Sequence, residues 1–153
     1  MMNNLIGGSL RERLVDIALE WQRSYGNAPS ITSVVSEYDA ARLMGMTEEQ
    51  YSKEMQHRSI VAKGYDFMYQ AKRYQVKACR PSGRPGSKVT WVPKPTNFEW
   101  DYLVWILYNE KYIVQEAWIW DVAAYRQEIE PIQRVSPLDI RKGESLIRSL
   151  PGS

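Results

Sequence analysis

Three polar residues in the middle of the chain have types and a spacing that suit metal-assisted hydrolysis. Gln75 and Lys77 are two positions apart, so in a strand their side chains project from one face while Val76 turns into the core. Asp66 lies nine residues before Gln75, across a predicted hairpin, which can bring all three to one edge of a sheet. A carboxylate, an amide oxygen and an ammonium at one edge could bind a hard cation and offset developing negative charge.

The chemistry assigns each residue a role in cleaving a phosphodiester. Asp66 would bind Mg²⁺, or Mn²⁺ in its place, and the Gln75 amide oxygen and the Val76 carbonyl would add neutral ligands. Lys77 would orient the attacking water and stabilise negative charge. The pattern alone is weak, because an acid-or-Gln-x-Lys triplet arises about once by chance at this length. A second triplet, 70–72, falls in the predicted turn, where its side chains would not share a face.

Composition limits the alternatives. The 153 residues fit one domain, 1–153, and 44% hydrophobic with 25% charged residues is ordinary for a globular protein. A single Cys79 excludes an internal disulfide, and with one histidine, His57, a His/Cys zinc site lacks ligands. Any metal should therefore be held by oxygen. No apolar run reaches the roughly 18 residues of a membrane span, so we expect a cytoplasmic protein without a membrane partner.

Positive charge is concentrated in one segment. Between Phe67 and Phe98 there is no Asp or Glu, but there are seven Lys and Arg. Because the whole chain has a net charge of +2, the remaining residues together have a net charge of −5. This asymmetry favours a phosphate-binding face, with a solvated basic loop as the alternative. Residues 80–97, with four prolines and two glycines, are predicted to be a long DNA-contacting loop. The expected DNA-binding residues are Arg80, Arg84, Lys88, Lys72, Arg73 and Lys94. Trp91, within the loop, is a candidate anchor to the sheet.

Periodicity and capping residues place these motifs on an α/β (α+β) fold with a mixed central sheet flanked by helices. A helix over Leu10 to Tyr25 follows a Ser9 cap, and its apolar residues fall at helical spacing on one face. The other predicted helices are 37–44, 47–56 and 121–127, with a weak signal from Ser136 in the tail 131–153. The predicted strands are 59–62, 65–69, 74–80, 100–108 and 112–120. The run WDYLVWILY in 100–108 suits a central strand covered on both faces.

The order of parts from Gly64 to Trp120, a little over a third of the chain, resembles the core of the PD-(D/E)XK nucleases. Asp66 matches the family's first acidic position and Lys77 its lysine, while Gln75 departs from the usual acid. The whole chain is most similar to bacterial intron-encoded homing endonucleases with the restriction-endonuclease fold. This resemblance implies site-specific, Mg²⁺-dependent double-strand cleavage of a long DNA target by a homo-oligomer, a tetramer or otherwise a dimer. It also implies a glutamate from the first core helix near the metal, for which Glu12 is the candidate.

Other interpretations remain at the level of sequence. A restriction or repair nuclease of the same fold would recognise a short site or a damage signal. A DNA-binding module without catalysis is possible because Gln75 lowers the negative charge available to a cation. A protein-interaction domain would use its many Tyr and Trp residues as a partner surface.

Overall fold

The computed structural model describes residues 9–58 and 64–147. Within them, the strands form one mixed sheet in the order β1-β2-β3-β4-β5. The strands are β1 Phe67–Tyr69, β2 Lys72–Cys79, β3 Tyr102–Tyr108, β4 Val114–Asp121 and β5 Glu144–Ser145. β2 and β3 run parallel and the other neighbours antiparallel, so the predicted α/β class with a mixed sheet is confirmed.

The helices cover both sheet faces. They are α1 Leu10–Tyr25, α2 Thr32–Leu43, α3 Glu48–His57, α4 Val122–Glu128 and α5 Pro137–Ile140. α1 has the predicted bounds because Ser9 caps its first turn and Gly26 ends it at a φ of 91°. The predicted capping box of Thr47 and Gln50 opens α3. No helix in the described part of the chain is both long and apolar enough to cross a bilayer.

β3 carries the core on both of its faces. Val104, Ile106 and Tyr108 join the cluster under α1 and α2, whereas Leu103 and Trp105 face the cluster under α4 and the C-terminal segment. All are buried, which explains why this strand reads as an unbroken apolar run.

The parallel pairing of β2 and β3 requires a crossover, and residues 80–101 supply it without a helix. Val92 attaches this segment to the core, because it is buried and its N–H donates to the Val135 carbonyl at 2.9 Å. The Pro93 carbonyl accepts from Trp105 Nε1 at 2.9 Å. Trp91 is 51% exposed, so the residue that anchors this segment is Val92 and not the expected Trp91. Residues 82–88 are exposed.

Two elements differ from the expectations, and one expectation is not tested. α2 begins at Thr32, five residues before the predicted start, because its N-cap is Ile31, which makes no side-chain capping hydrogen bond and so gives no start signal in the sequence. The predicted strand 59–62 lies outside the described residues. β5 is only two residues long, and both pair with β4, so the sequence carries no strand pattern there.

Candidate active site

Asp66 lies beside β2, immediately before β1 begins. Its N–H donates to the Tyr74 carbonyl at 2.7 Å, and its Oδ2 accepts from the Val76 N–H at 2.7 Å. The preceding Gly64 has a φ of +82°, and a Cβ there would come within 2.6 Å of Glu99. The backbone approaching Asp66 therefore requires glycine, and the carboxyl is held against the edge of β2.

The Val76 carbonyl faces the same edge as this carboxyl. In a strand, the N–H and C=O of one residue point to the same neighbour. The Arg73 carbonyl accepts from Asp101 on the β3 side, while Tyr74 and Val76 bond to Asp66 on the other side. The Asp66 carboxyl and the Val76 carbonyl oxygen thus share the outer edge of β2, as their predicted roles require.

A second carboxyl, from Glu37 on α2, meets Asp66. The two groups are close enough to share a hydrogen bond, and burial together with the Asp66 charge raises the pKa of Glu37 to about 7. Burial also raises the pKa of Asp66, against the lowering effect of the Val76 N–H. The hydrogen bond between them raises the pKa of Glu37 and lowers that of Asp66, so Glu37 is the group that donates it when protonated.

Two cations and a phenol surround the carboxyl pair. Arg58 and Lys77 both lie near enough to lower the pKa of Glu37 and Asp66. Arg58 follows α3, and its Nη1 donates to the Asp66 carbonyl. Burial and the nearby Glu37 raise the pKa of Tyr51 on α3 to about 12, so this phenol stays protonated.

Gln75 and Lys77 share a sheet face, as predicted, and Val76 is buried on the opposite face. Their register partners on β3 are Leu103 and Trp105, so they lie on the face away from α2. Gln75 is only 8% exposed, because the crossover segment and α4 cover that face. The cluster is therefore built around the edge of β2, with Glu37 from the layer of α2 and Lys77 from the opposite face of the strand, the face that it shares with Gln75.

Glu12 is not brought to this cluster. It lies in the first turn of α1, where its carboxylate accepts from the neighbouring Arg11 at 2.9 Å, and its side chain is 43% exposed. Arg11 in turn binds Asp39 of α2 at 2.8 Å, and Asp39 also accepts from the Tyr108 hydroxyl at 2.6 Å. This buried clamp fixes α2 on the sheet, and Glu37 lies two residues before Asp39.

The helix glutamate at the site is thus Glu37 rather than Glu12. The resemblance calls for a glutamate on the first core helix, and the sequence offers α1 as the first helix. However, α2 is the helix that packs over β2. The sequence feature that identifies the helix at the site is therefore the apolar pattern of 31–41, and not the order of the helices along the chain. Arg58 and Tyr51 carry no sequence signal, because their place depends on how α3 meets the start of β1.

The predicted DNA-binding residues fall into two groups. Arg80 binds the Glu110 carbonyl and Gln22 Oε1 and stacks 4.2 Å over the Tyr112 ring. Arg73 pairs with Asp101 at 3.3 Å, and Lys94 donates to two carbonyls after α4. All three side chains bind groups of the protein itself. The exposed members are Lys72, Arg84 and Lys88.

The oxygen donors around Asp66 fit a hard divalent cation. Two half-buried carboxyls this close together repel one another once both are ionised, and a cation between them would relieve that repulsion. The Val76 carbonyl and the Gln75 amide would complete an all-oxygen set. In residues 9–58 and 64–147 no three His, Cys, Asp or Glu side chains gather as a metal site, so the neutral ligands matter here.

No protein-family model and no curated protein matches this chain.

Proposed function

We propose that this protein is a metal-dependent DNA endonuclease whose active site is the edge of β2. The observation that carries the proposal is the meeting of Glu37 and Asp66 beside the Val76 backbone, within electrostatic reach of Lys77. A carboxyl pair and a strand carbonyl can hold a metal ion, and a lysine beside them can offset developing negative charge, which together suit metal-assisted phosphodiester hydrolysis.

Each residue has a distinct task in this proposal. Asp66, Glu37, the Val76 carbonyl and Gln75 would hold Mg²⁺ or Mn²⁺, and the ion would supply Lewis-acid polarisation of the phosphate and a more acidic water. Lys77 orients that water and offsets the charge that grows on the phosphate oxygens. Arg58 stabilises the ionised carboxyls when DNA adds further negative charge. Tyr51 stays neutral and can donate a hydrogen bond into the site.

The finer features rest on the resemblance and on charge. With these features, the protein would be a site-specific homing endonuclease, encoded in an intron, that cuts both strands of a long duplex as a homo-oligomer. Two active sites must oppose each other to break a duplex, which favours a symmetric assembly on a nearly palindromic target. Exposed Arg84 and Lys88 on residues 82–88 would approach the phosphates and base edges.

One observation favours a second candidate, a DNA-binding module without catalysis. Gln75 occupies the position of the family's second acid, so two carboxyls remain where the pattern expects more. Metal-dependent cleavage distinguishes the candidates.

The test uses purified full-length protein, a plasmid library carrying a randomised insert, and Mg²⁺ or EDTA. We expect double-strand breaks in Mg²⁺ and none in EDTA, and sequencing of the cut ends to give one long, nearly palindromic site. Cuts at a short site would identify a restriction-type enzyme. Salt-sensitive DNA binding without cuts would favour the inactive module.

A further inference from the structure

Helix α1 presents a stripe of large apolar side chains to solvent. Leu10 is 73% exposed, Ile17 60%, Trp21 52% and Tyr25 69%, and Leu14 lies half-buried between them. These positions recur every three or four residues and form one ridge along a helix about 24 Å long. The helix attaches to the sheet by a different face, through Val15 and Ala18.

This stripe is unusual for a protein surface. Monomeric proteins rarely expose a contiguous ridge of this kind, and Trp and Tyr are the residues most enriched at energetically important interface positions. Trp21 and Tyr25 already pack edge to face at 4.8 Å. Leu10 and Leu14 also line an open cleft of about 420 Å³ between α1, α2 and α3, which extends the apolar surface to the exposed Val34.

The charges beside the stripe are self-complementary. Arg13 and Glu20 are both exposed and lie two helical turns apart on the same flank of the ridge. If a second copy of α1 packs antiparallel about a two-fold axis near Ile17, Arg13 of each copy faces Glu20 of the other. Ile17 then meets its own counterpart at the axis, and Leu10 at one end meets the Trp21 region at the other.

We propose that the partner of this stripe is a second copy of the chain, and that α1 forms an antiparallel, two-fold helix pair. This inference names the surface for the oligomer included in the proposed function. It rests on that assembly but not on the hydrolytic chemistry. The charge pattern favours a copy of α1 over an unrelated apolar partner, because each end of the ridge offers the charge that the other end requires.

The test is a charge exchange in the full chain, followed by sedimentation over a range of protein concentrations. Each single variant, Arg13→Glu or Glu20→Arg, turns the two attractive ion pairs of the dimer into repulsive ones. Each should therefore raise the dissociation constant of the dimer about tenfold. The double variant re-creates the pairs in reverse and should return to within about threefold of the wild type. Within one helix these residues are too far apart for such compensation.

Two further variants keep the test decisive. Ile17→Glu places a charge at the axis and should abolish the pair, whereas Leu138→Glu, at a position 70% exposed on α5, should leave the assembly unchanged. Ile17→Cys combined with Cys79→Ser should form a disulfide-linked dimer under mild oxidation. A monomeric wild type at tens of micromolar, or a double charge exchange without recovery, would overturn the proposal. Because the readout is molecular mass, either result leaves the proposed nuclease activity to be decided by cleavage.

Discussion

Glu37 and Asp66 form a carboxyl pair that is costly to bury without a cation. Burial raises the pKa of both groups and the Asp66 charge raises that of Glu37 further, while Arg58 and Lys77 act in the opposite direction. The site is therefore held together by the Val76 N–H on one side and by the clamp of Arg11, Asp39 and Tyr108 on the other. A divalent ion should act on this pair even in the absence of DNA.

The first prediction compares two glutamates, only one of which lies at the site. Mg²⁺ should raise the melting temperature of the wild type, since a ligand that binds the native state stabilises it. Glu37→Gln removes one of the repelling carboxyls, so it should melt at or above the wild type in EDTA and lose most of the Mg²⁺ shift. Glu12→Gln should keep that shift. Differential scanning fluorimetry measures both, and a full Mg²⁺ shift in Glu37→Gln would remove this residue from the metal site.

The second prediction concerns Gln75, whose amide is the departure from the family pattern. Gln75→Ala should lower cleavage sharply while DNA affinity stays near that of the wild type. Because Gln75 is buried, whereas its place in the sequence suggests a solvent-facing strand position, the change should also cost about 1 kcal/mol of stability.

Gln75→Glu is the matched variant, with the same reach and one more negative charge. It should be less stable in EDTA, remain active, and need less Mg²⁺ for half-maximal rate. Cleavage by Gln75→Ala at the wild-type rate would show that the glutamine is only a strand residue.

At the scale of elements, the crossover between β2 and β3 consists of an exposed part followed by a part that packs on the core. Val89 and Val92 pack on the core beneath the sheet, while residues 82–88 stay exposed and carry Arg84 and Lys88. The packed part fixes the exposed part near the C-terminal end of β2, on the strand that carries Gln75 and Lys77.

The third prediction follows from this division. Arg84→Ala with Lys88→Ala should weaken duplex binding and reduce the slope of log K against log salt by about 0.9 for each phosphate that the protein no longer neutralises. Lys53→Ala with Lys142→Ala removes the same charge from exposed positions elsewhere and should leave the slope unchanged. Filter binding in EDTA over several salt concentrations gives both slopes. If only the second pair changes the slope, DNA binds away from the loop.

The fourth prediction concerns the two-residue turn that joins β1 to β2. Gln70 and Ala71 adopt φ values of 51° and 65°, which a type I′ hairpin turn requires and which side chains other than Asn and Gly disfavour. Gln70→Asn with Ala71→Gly should therefore raise the melting temperature by about 2–4 °C. An unchanged or lower value, measured by circular dichroism, would mean that the turn carries no strain.

At the scale of the whole molecule, the fold class could be predicted from the sequence because local signals agreed with it. Ser9, Thr47 and the apolar run of β3 each determine an element by short-range physics. The parallel pairing of β2 with β3 could not be predicted, since no local pattern distinguishes it from a hairpin across a long loop.

The same distinction holds for the site. Asp66, Gln75 and Lys77 are close in sequence, and strand geometry alone relates them. Glu37 lies 29 residues before Asp66 and reaches it only because α2 packs over β2, which is a tertiary fact. The apolar spacing of α1 marks one face of the helix without showing what covers it, and in the structure this face is exposed.

We propose that Asp66 serves catalysis rather than folding or DNA affinity. The direct measurement is cleavage of the randomised plasmid library in Mg²⁺ by the wild type and by Asp66→Asn, with DNA binding by both measured in EDTA. Asparagine keeps an oxygen that can accept from the Val76 N–H but removes the charge. We therefore expect Asp66→Asn to bind DNA like the wild type and to make no cuts. Wild-type cleavage by the Asp66→Asn protein would contradict this account of the site.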